Sequence, residues 1–517
     1  MNQQTTERRS RRGRNRGGWD TPVPNRSERY RQLRHPFEPQ RVFSDDRVAD
    51  IHATALRVLS ELGIKILLEE ARKLFARAGA SVDETDLMVR IGPEIIEEAL
   101  RTAPRSWRMR AANQVREQAF ENGTLMFVAG SGCPNTNDLD RGRRPGDLAS
   151  YVETVKLQQH FDVVHIFGPT CEPQDISAHI RHYDLIHAQL TLGDKPMFIY
   201  SRGTKQVEQS MELIRLAHNL SDEDFSDGVW ATTVINTNSP RQIDIPMAQG
   251  LMDFARAKQL SVVTPFCLAG AMAPVTVAGA LVLQHAEALA AIALTQLANP
   301  GAPVAYGGFA SNVDMKSGAP AFGTPEHVRL SIGSGQLARH IGLPWRSAAG
   351  AASNTADMQA AGETHMSLWA GMQANATLML HAAGWLEGGL TFGYEKFIND
   401  VEACQILAEL CLTEPELPDD LAWTALEDVQ PGGHFFATQH TMDRYRDAFY
   451  PPMIADLQNF GAWAEAGEMT STQRAHGVWK SIVSGFEPPA VCRGVEDRIM
   501  PTIERMKAEG GAPPVSE

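Results

Sequence analysis

Eight short apolar, β-rich runs separated by stretches of helical spacing constrain this chain more than any other feature of its sequence. The runs lie at 125–129, 163–167, 196–200, 229–235, 261–267, 302–306, 343–349 and 376–383. Helix-patterned segments at 148–160, 176–192, 205–220, 247–260, 275–298, 325–341 and 357–374 fall between them. Such an alternation, without a long structureless gap, predicts a (β/α)8 TIM barrel over 123–400. A doubly wound open sheet shares the rhythm, since periodicity does not report closure. No run is followed by GxGxxG or GxxxxGK[ST], so the nucleotide-binding fingerprint that would favour it is missing.

Before the barrel, Val48, Ile51, Ala55, Val58 and Leu62 recur at helical spacing behind a Ser44 cap. Further helices over 68–78 and 93–102 and strands near 87–91 and 107–111 predict an N-terminal α+β extension, 42–122. After Asp400 come helical additions, 401–517, packing on the barrel, with a frayed end at 510–517. Residues 1–41 hold eleven Arg against four acids, so this segment carries +7 and the remainder −21 of a formal net charge of −14. A disordered basic tail is expected there. The acidic body argues against nucleic acid as a partner.

The apolar stretch 275–297 carries Gln284, His285 and Glu287 and reads as a buried helix, so no membrane span is expected. The absence of an apolar signal core points to a cytoplasmic address. Six cysteines lie far apart with no CxxC pair, which fits reduced thiols.

In a barrel the chemistry sits where the strands end. Those segments are rich in Gly, Ser and Asn, with aromatics and few charges, which suits a bulky or weakly polar ligand. His179, His182 and His187 fall mid-helix, away from that face. Cys133, Cys171 and Cys267 follow three different strands and leave open a metal-dependent lyase or hydrolase, against the plainer reading of small buried thiols. No GxSxG elbow is present, and Lys316 and Lys396 do not end strands, so nucleophilic and Schiff-base chemistry lack support.

Several segments together resemble the trimethylamine methyltransferase superfamily. They are Pro303–Gly307, Asp314 with Gly318, Gly323-Thr324-Pro325-Glu326, Gly342-Leu343-Pro344, Asp357-x-Gln359-Ala360-x-x-Glu363, His381-Ala382-Ala383-Gly384-Trp385-Leu386-Glu387, and Tyr394-Glu395-Lys396 with Asp400. The resemblance covers about 42–500 and implies corrinoid-dependent methyl transfer on a TIM barrel. Cobalamin would be carried by a partner corrinoid protein, with no metal bound by this chain, in a homo-oligomer. The founding enzymes carry pyrrolysine just before the Asp-x-Gln segment, where this chain has Ser353-Asn354-Thr355-Ala356. It therefore looks like the group lacking pyrrolysine, which demethylates quaternary amines such as glycine betaine. A non-catalytic betaine-binding scaffold is the remaining alternative.

A quaternary ammonium has no N–H to donate, so aromatic faces with a carboxylate nearby would hold it. Phe127, Phe266, Tyr306 and Phe309 are the expected substrate-binding aromatics, although strand alternation could turn some towards the helices. Arg346 or Arg202 would bind a substrate carboxylate. His381 and Glu387 fall on the family motif as catalytic candidates. Asp357 and Gln359 are substrate-binding candidates at a helix start, where capping competes with function.

Overall fold

The structure is a computed structural model describing residues 30–413, 416–417 and 419–515. The expected segments 1–29 and 516–517 lie outside these residues.

Eight parallel strands make one curled sheet: β1 Thr124–Val128, β2 Val164–Ile166, β3 Met197–Phe198, β4 Ala231–Ile235, β5 Leu260–Val263, β6 Val304–Gly307, β7 Trp345–Ala348 and β8 Leu378–Leu380. Their spatial order is β2-β1-β8-β7-β6-β5-β4-β3. In register, Leu378 meets Met126, Arg346 meets Leu378, and Tyr306 meets Trp345. The ladder is continuous through these seven pairings. Between the outer strands, Phe167 N donates to Pro196 O at 3.1 Å.

Helices follow the strands: α1 Leu148–His160, α2 Arg181–Leu192, α3 Thr204–His218, α4 Ile245–Arg256, α5 Val277–Ala298, α6 Pro325–Ile341, α7 Met358–Gln373 and α8 Tyr394–Leu410. Side-chain alternation divides the strands between two cores. Met126, Val128, Ile166, Leu260, Val262, Ala305, Leu378 and Leu380 fill the concave side. Leu125, Phe127, Val304, Tyr306 and Trp345 join the helices in a larger outer cluster. The two-stranded ribbon Ser106–Met109 with Gln118–Glu121 supplies Met109 and Phe120 to the inner cluster.

The helix Asp45–Arg57 starts where Ser44 Oγ accepts from Arg47 N, the expected cap. It packs with Pro93–Thr102 over α5. The long apolar helix α5 has 78% of its most apolar window buried inside the protein, which accounts for its composition.

Two expectations about chain ends need correction. Residues 30–41 were counted with the tail, but Leu33 is buried and pairs with Leu125, and Gln40 N donates to Gln373 O. Residues 510–515 are docked too: Ala512 N donates to His179 O and Val515 N to Arg202 O. Backbone hydrogen bonds to the body fix both stretches despite their loop-like composition.

Candidate functional site

Where the strands end, the concave core opens into a cavity of about 300 Å³. Its floor is Val234 and Leu380, and its walls include Tyr200, Phe266, Phe309, Arg346, His381 and Trp385. On β7, Trp345 packs outward and Arg346 therefore points inward, the direction alternation assigns to every second residue. Arg346 is 1% exposed, and its Nε and Nη1 have no hydrogen-bond partner among the described residues. Its guanidinium carbon lies 4.5 Å from the centre of the Phe309 ring. Desolvation pulls its pKa down to about 9, so the cation persists at neutral pH without an anion beside it.

His381 ends β8 in the left-handed region, at φ 61°. Its Nδ1 accepts from Ser131 N at 3.2 Å, which places the imidazole proton on Nε2. The ring stacks on Trp385 with centroids 4.5 Å apart and planes 18° from parallel. Burial, aided by the charge of Arg346, holds its pKa well below the usual histidine value, so it is neutral. Trp385 is itself buried, and its Nε1–H has no partner among the described residues. The cavity thus offers unspent donors on Arg346 and Trp385, and among the described residues no Asp or Glu lines it.

The aromatics meet at Phe309. Its ring centroid lies 4.7 Å from Phe266, 5.5 Å from His381 and 5.9 Å from Trp385. Phe266, Phe309, Arg346 and His381 line one cavity.

Other candidates are elsewhere. Phe127 lies in the outer cluster, because Met126 and Val128 take the inward positions of β1. Tyr306 also faces outward: its hydroxyl meets Gln284 Nε2 at 3.2 Å and His285 Nδ1 at 3.1 Å, both on α5. Arg202 is spent on Glu172, which Arg181 shares, and it lies over the Tyr200 ring at 4.4 Å. Glu387 accepts from Arg143 Nε at 2.9 and 3.1 Å beside the cavity glycines Gly388 and Gly389. Asp357 caps α7 through Gln359 N and Ala360 N, and the Gln359 side chain donates to Glu363. Glu363 in turn accepts from Ala352 N and Ser353 N, so these residues shape the loop after β7.

Tyr200 is one of the aromatics that end the proposed strands, whereas Trp385 is not among the residues the sequence singles out for the site. Trp385 stands inside the quoted His381–Glu387 motif, but its arrival beside His381 depends on Gly384 at φ 87°, whose N–H donates to Asp400.

The strand-end thiols do not converge into a ligand set. Cys133 and Cys171 pair across adjacent loops, while Cys267 hydrogen-bonds Ser239 at 3.3 Å. Burial raises all three above the ordinary thiol value, which keeps them protonated. Among the described residues no group of three His, Cys, Asp or Glu has metal-binding geometry.

A family model described as trimethylamine methyltransferase (MTTB) matches residues 7–511. A glycine betaine methyltransferase of Desulfitobacterium hafniense (strain Y51) is 32% identical over 472 residues, 91% of this chain and 98% of that protein. A trimethylamine methyltransferase, MttB, of Desulfitobacterium hafniense (strain DSM 10664 / DCB-2) is 26% identical over 475 residues, 91% of this chain and 94% of its own. Among solved structures, the Methanosarcina barkeri monomethylamine methyltransferase (MtmB) aligns with a TM-score of 0.44 at 9% identity, covering 89% of this chain and 92% of that one.

Proposed function

The chain belongs to the trimethylamine methyltransferase family and is a methyltransferase, and on that premise we propose that it demethylates a quaternary amine that also bears a carboxylate, such as glycine betaine. The observation that carries this reading is Arg346: a buried cation, unpaired among the described residues, in an aromatic cavity without an acid. Burying an unpaired charge is costly, and a ligand carboxylate would offset that cost. Arg346 would take it through charge-assisted hydrogen bonds, with Trp385 Nε1–H and His381 Nε2–H as further donors. Phe266 and Tyr200 supply faces for the ammonium end.

Chemistry supports a quaternary rather than a tertiary substrate. When the C–N bond breaks, its electron pair stays on nitrogen, and a quaternary ammonium leaves as a neutral tertiary amine. No proton has to be delivered. That suits a cavity where, among the described residues, the one imidazole is neutral, and where Glu387, beside the cavity, is engaged by Arg143. A reduced corrinoid carried by a partner protein would supply the nucleophile that accepts the methyl group. The cavity suits a small zwitterion and is too small for a corrin ring, which would have to be presented at its mouth. This chain's residues then orient the substrate and exclude water.

The same reading takes the sheet as a closed (β/α)8 barrel, a reading supported by the strand order and the Phe167–Pro196 bond. A cytoplasmic setting is supported by six free thiols.

The test supplies purified protein with reduced free cobalamin and glycine betaine, and follows the amine by proton NMR. Appearance of the N-demethylated amine is expected. Betaine binding by calorimetry without any turnover would replace this reading with that of a binding scaffold. Tighter binding of choline, which lacks the carboxylate, would overturn the role given to Arg346.

A further inference from the structure

Past the end of α8 the described residues among 413–449 stand off the body, and the chain rejoins it by Ile454, whose N–H donates to Glu402. Among the described residues of this arm, hydrogen bonds and ion pairs stay inside it, as in Arg444 with Asp419, and none of its side chains enters a hydrophobic cluster of the body. Its two helices, Trp423–Asp428 and Gln439–Arg444, have six residues each, too few to hold themselves in water. Nine large apolar side chains are exposed along it, with Trp423 at 70%, Phe436 at 80% and Phe449 at 87%. The arm also carries eight acids against Arg444 and Arg446. Self-repulsion and exposed aromatics call for a basic cover.

The most basic segment of the chain starts at the arm's root. Arg31 donates to Ala408 O at 3.1 Å and Glu409 Oε1 at 2.9 Å, so the described chain starts beside the end of α8. That segment holds eight Arg against three acids. At about 3.3 Å per residue it spans up to about 95 Å. An arm of 37 residues anchored at both ends extends no farther than about 60 Å.

We propose that residues 1–29 lie along the 413–449 arm of the same chain. Guanidinium groups pair with the carboxylates and stack on the aromatic faces, while their methylene stems cover the apolar side chains. Charge disfavours a second copy as the occupant, because the chain beyond residue 41 carries −21 and would repel an acidic arm.

Hydrogen–deuterium exchange over 413–449 tests this in the full chain, in a chain lacking residues 2–29, and in an R8E/R9E/R11E/R12E variant that leaves the length unchanged. Deletion and charge reversal should each speed exchange in the arm at least ten-fold, and adding the 1–29 peptide to the deleted chain should reverse the change. Equal exchange in all three proteins overturns the proposal. So does protection that survives the deletion and disappears on dilution with dimer dissociation by light scattering, which would make a second copy the cover.

Discussion

Arg346 lies with its guanidinium carbon 4.5 Å above the Phe309 ring and has Nε and Nη1 buried without a partner among the described residues. A cation–π contact contributes only about 0.5–2 kcal/mol, less than the several kcal/mol that desolvating a charge costs. Arg346 is therefore held at a cost to stability. Arg346→Met should raise the melting temperature measured by calorimetry while weakening glycine betaine binding about 10- to 100-fold, the loss of one charge-assisted hydrogen bond of about 1.5–3 kcal/mol. Choline affinity should change far less. A destabilised variant would contradict this account of the arginine.

Phe266 is half-buried and packs 4.7 Å from Phe309, so its free face is the one a trimethylammonium group can reach. Phe266→Leu keeps apolar volume but removes the ring's negative face. KM for the quaternary amine should rise roughly 2- to 30-fold, matching about 0.5–2 kcal/mol, with kcat within a factor of about two. The kcat/KM split in a steady-state assay separates this from misfolding, which would lower the amount of active enzyme and so apparent kcat.

Tyr306 provides the contrasting case. Its hydroxyl bonds Gln284 and His285 on α5, outside the cavity. Tyr306→Phe should leave substrate binding by calorimetry unchanged and cost about 1–3 kcal/mol in denaturant unfolding, because two buried polar side chains lose a partner. A rise in KM without loss of stability would return Tyr306 to the site.

The eight-fold rhythm was legible because a strand buried on both faces reads as an unbroken apolar run whichever way its residues point. That same property hid the orientation of single residues. Phe127 and Tyr306 look like Phe266 in sequence, and which is inward depends on the phase of a period-two pattern that such runs do not display. Arg346 was readable as a charge inside an apolar run. That it lacks an acid among the described residues, whereas Arg202 has Glu172 and shares it with Arg181, depends on contacts 30 and 9 residues apart in the chain and had no local signal. In the Asp357 and Gln359 segment the hydrogen bonds of Asp357, Gln359 and Glu363 build the loop after β7.

His381 at φ 61° needs a residue that tolerates the left-handed region and accepts from Ser131 N. Asn does both, whereas Val does neither. His381→Asn should fold with a melting temperature within about 2–4 °C of the parent, a shift of about 1 kcal/mol at most, and His381→Val should fall further. Because His381 remains neutral well below its ordinary value, the pH profile of methyl transfer between about 6 and 8 should show no inflection that disappears in His381→Asn.

Nine histidines are held below their ordinary pKa chiefly by burial: His35, His52, His160, His165, His182, His218, His285, His327 and His381. Above about pH 6.5 these groups are neutral folded or unfolded and contribute no slope. Below it the unfolded chain takes up protons that the folded chain refuses, down to about pH 4 for His52, His160, His182, His218 and His327. Stability must therefore fall as pH drops through that window. Asp253, raised to about 6 by burial, acts in the opposite sense, as do the raised carboxyls of Glu287 and Asp400, but three groups do not balance nine. Denaturant unfolding should show a steep decline as pH falls from about 6.5 to 4. In His160→Gln the decline should lessen by up to about 1.4 kcal/mol per pH unit, one proton's share, and an unchanged slope would show that His160 is not among the groups that set it.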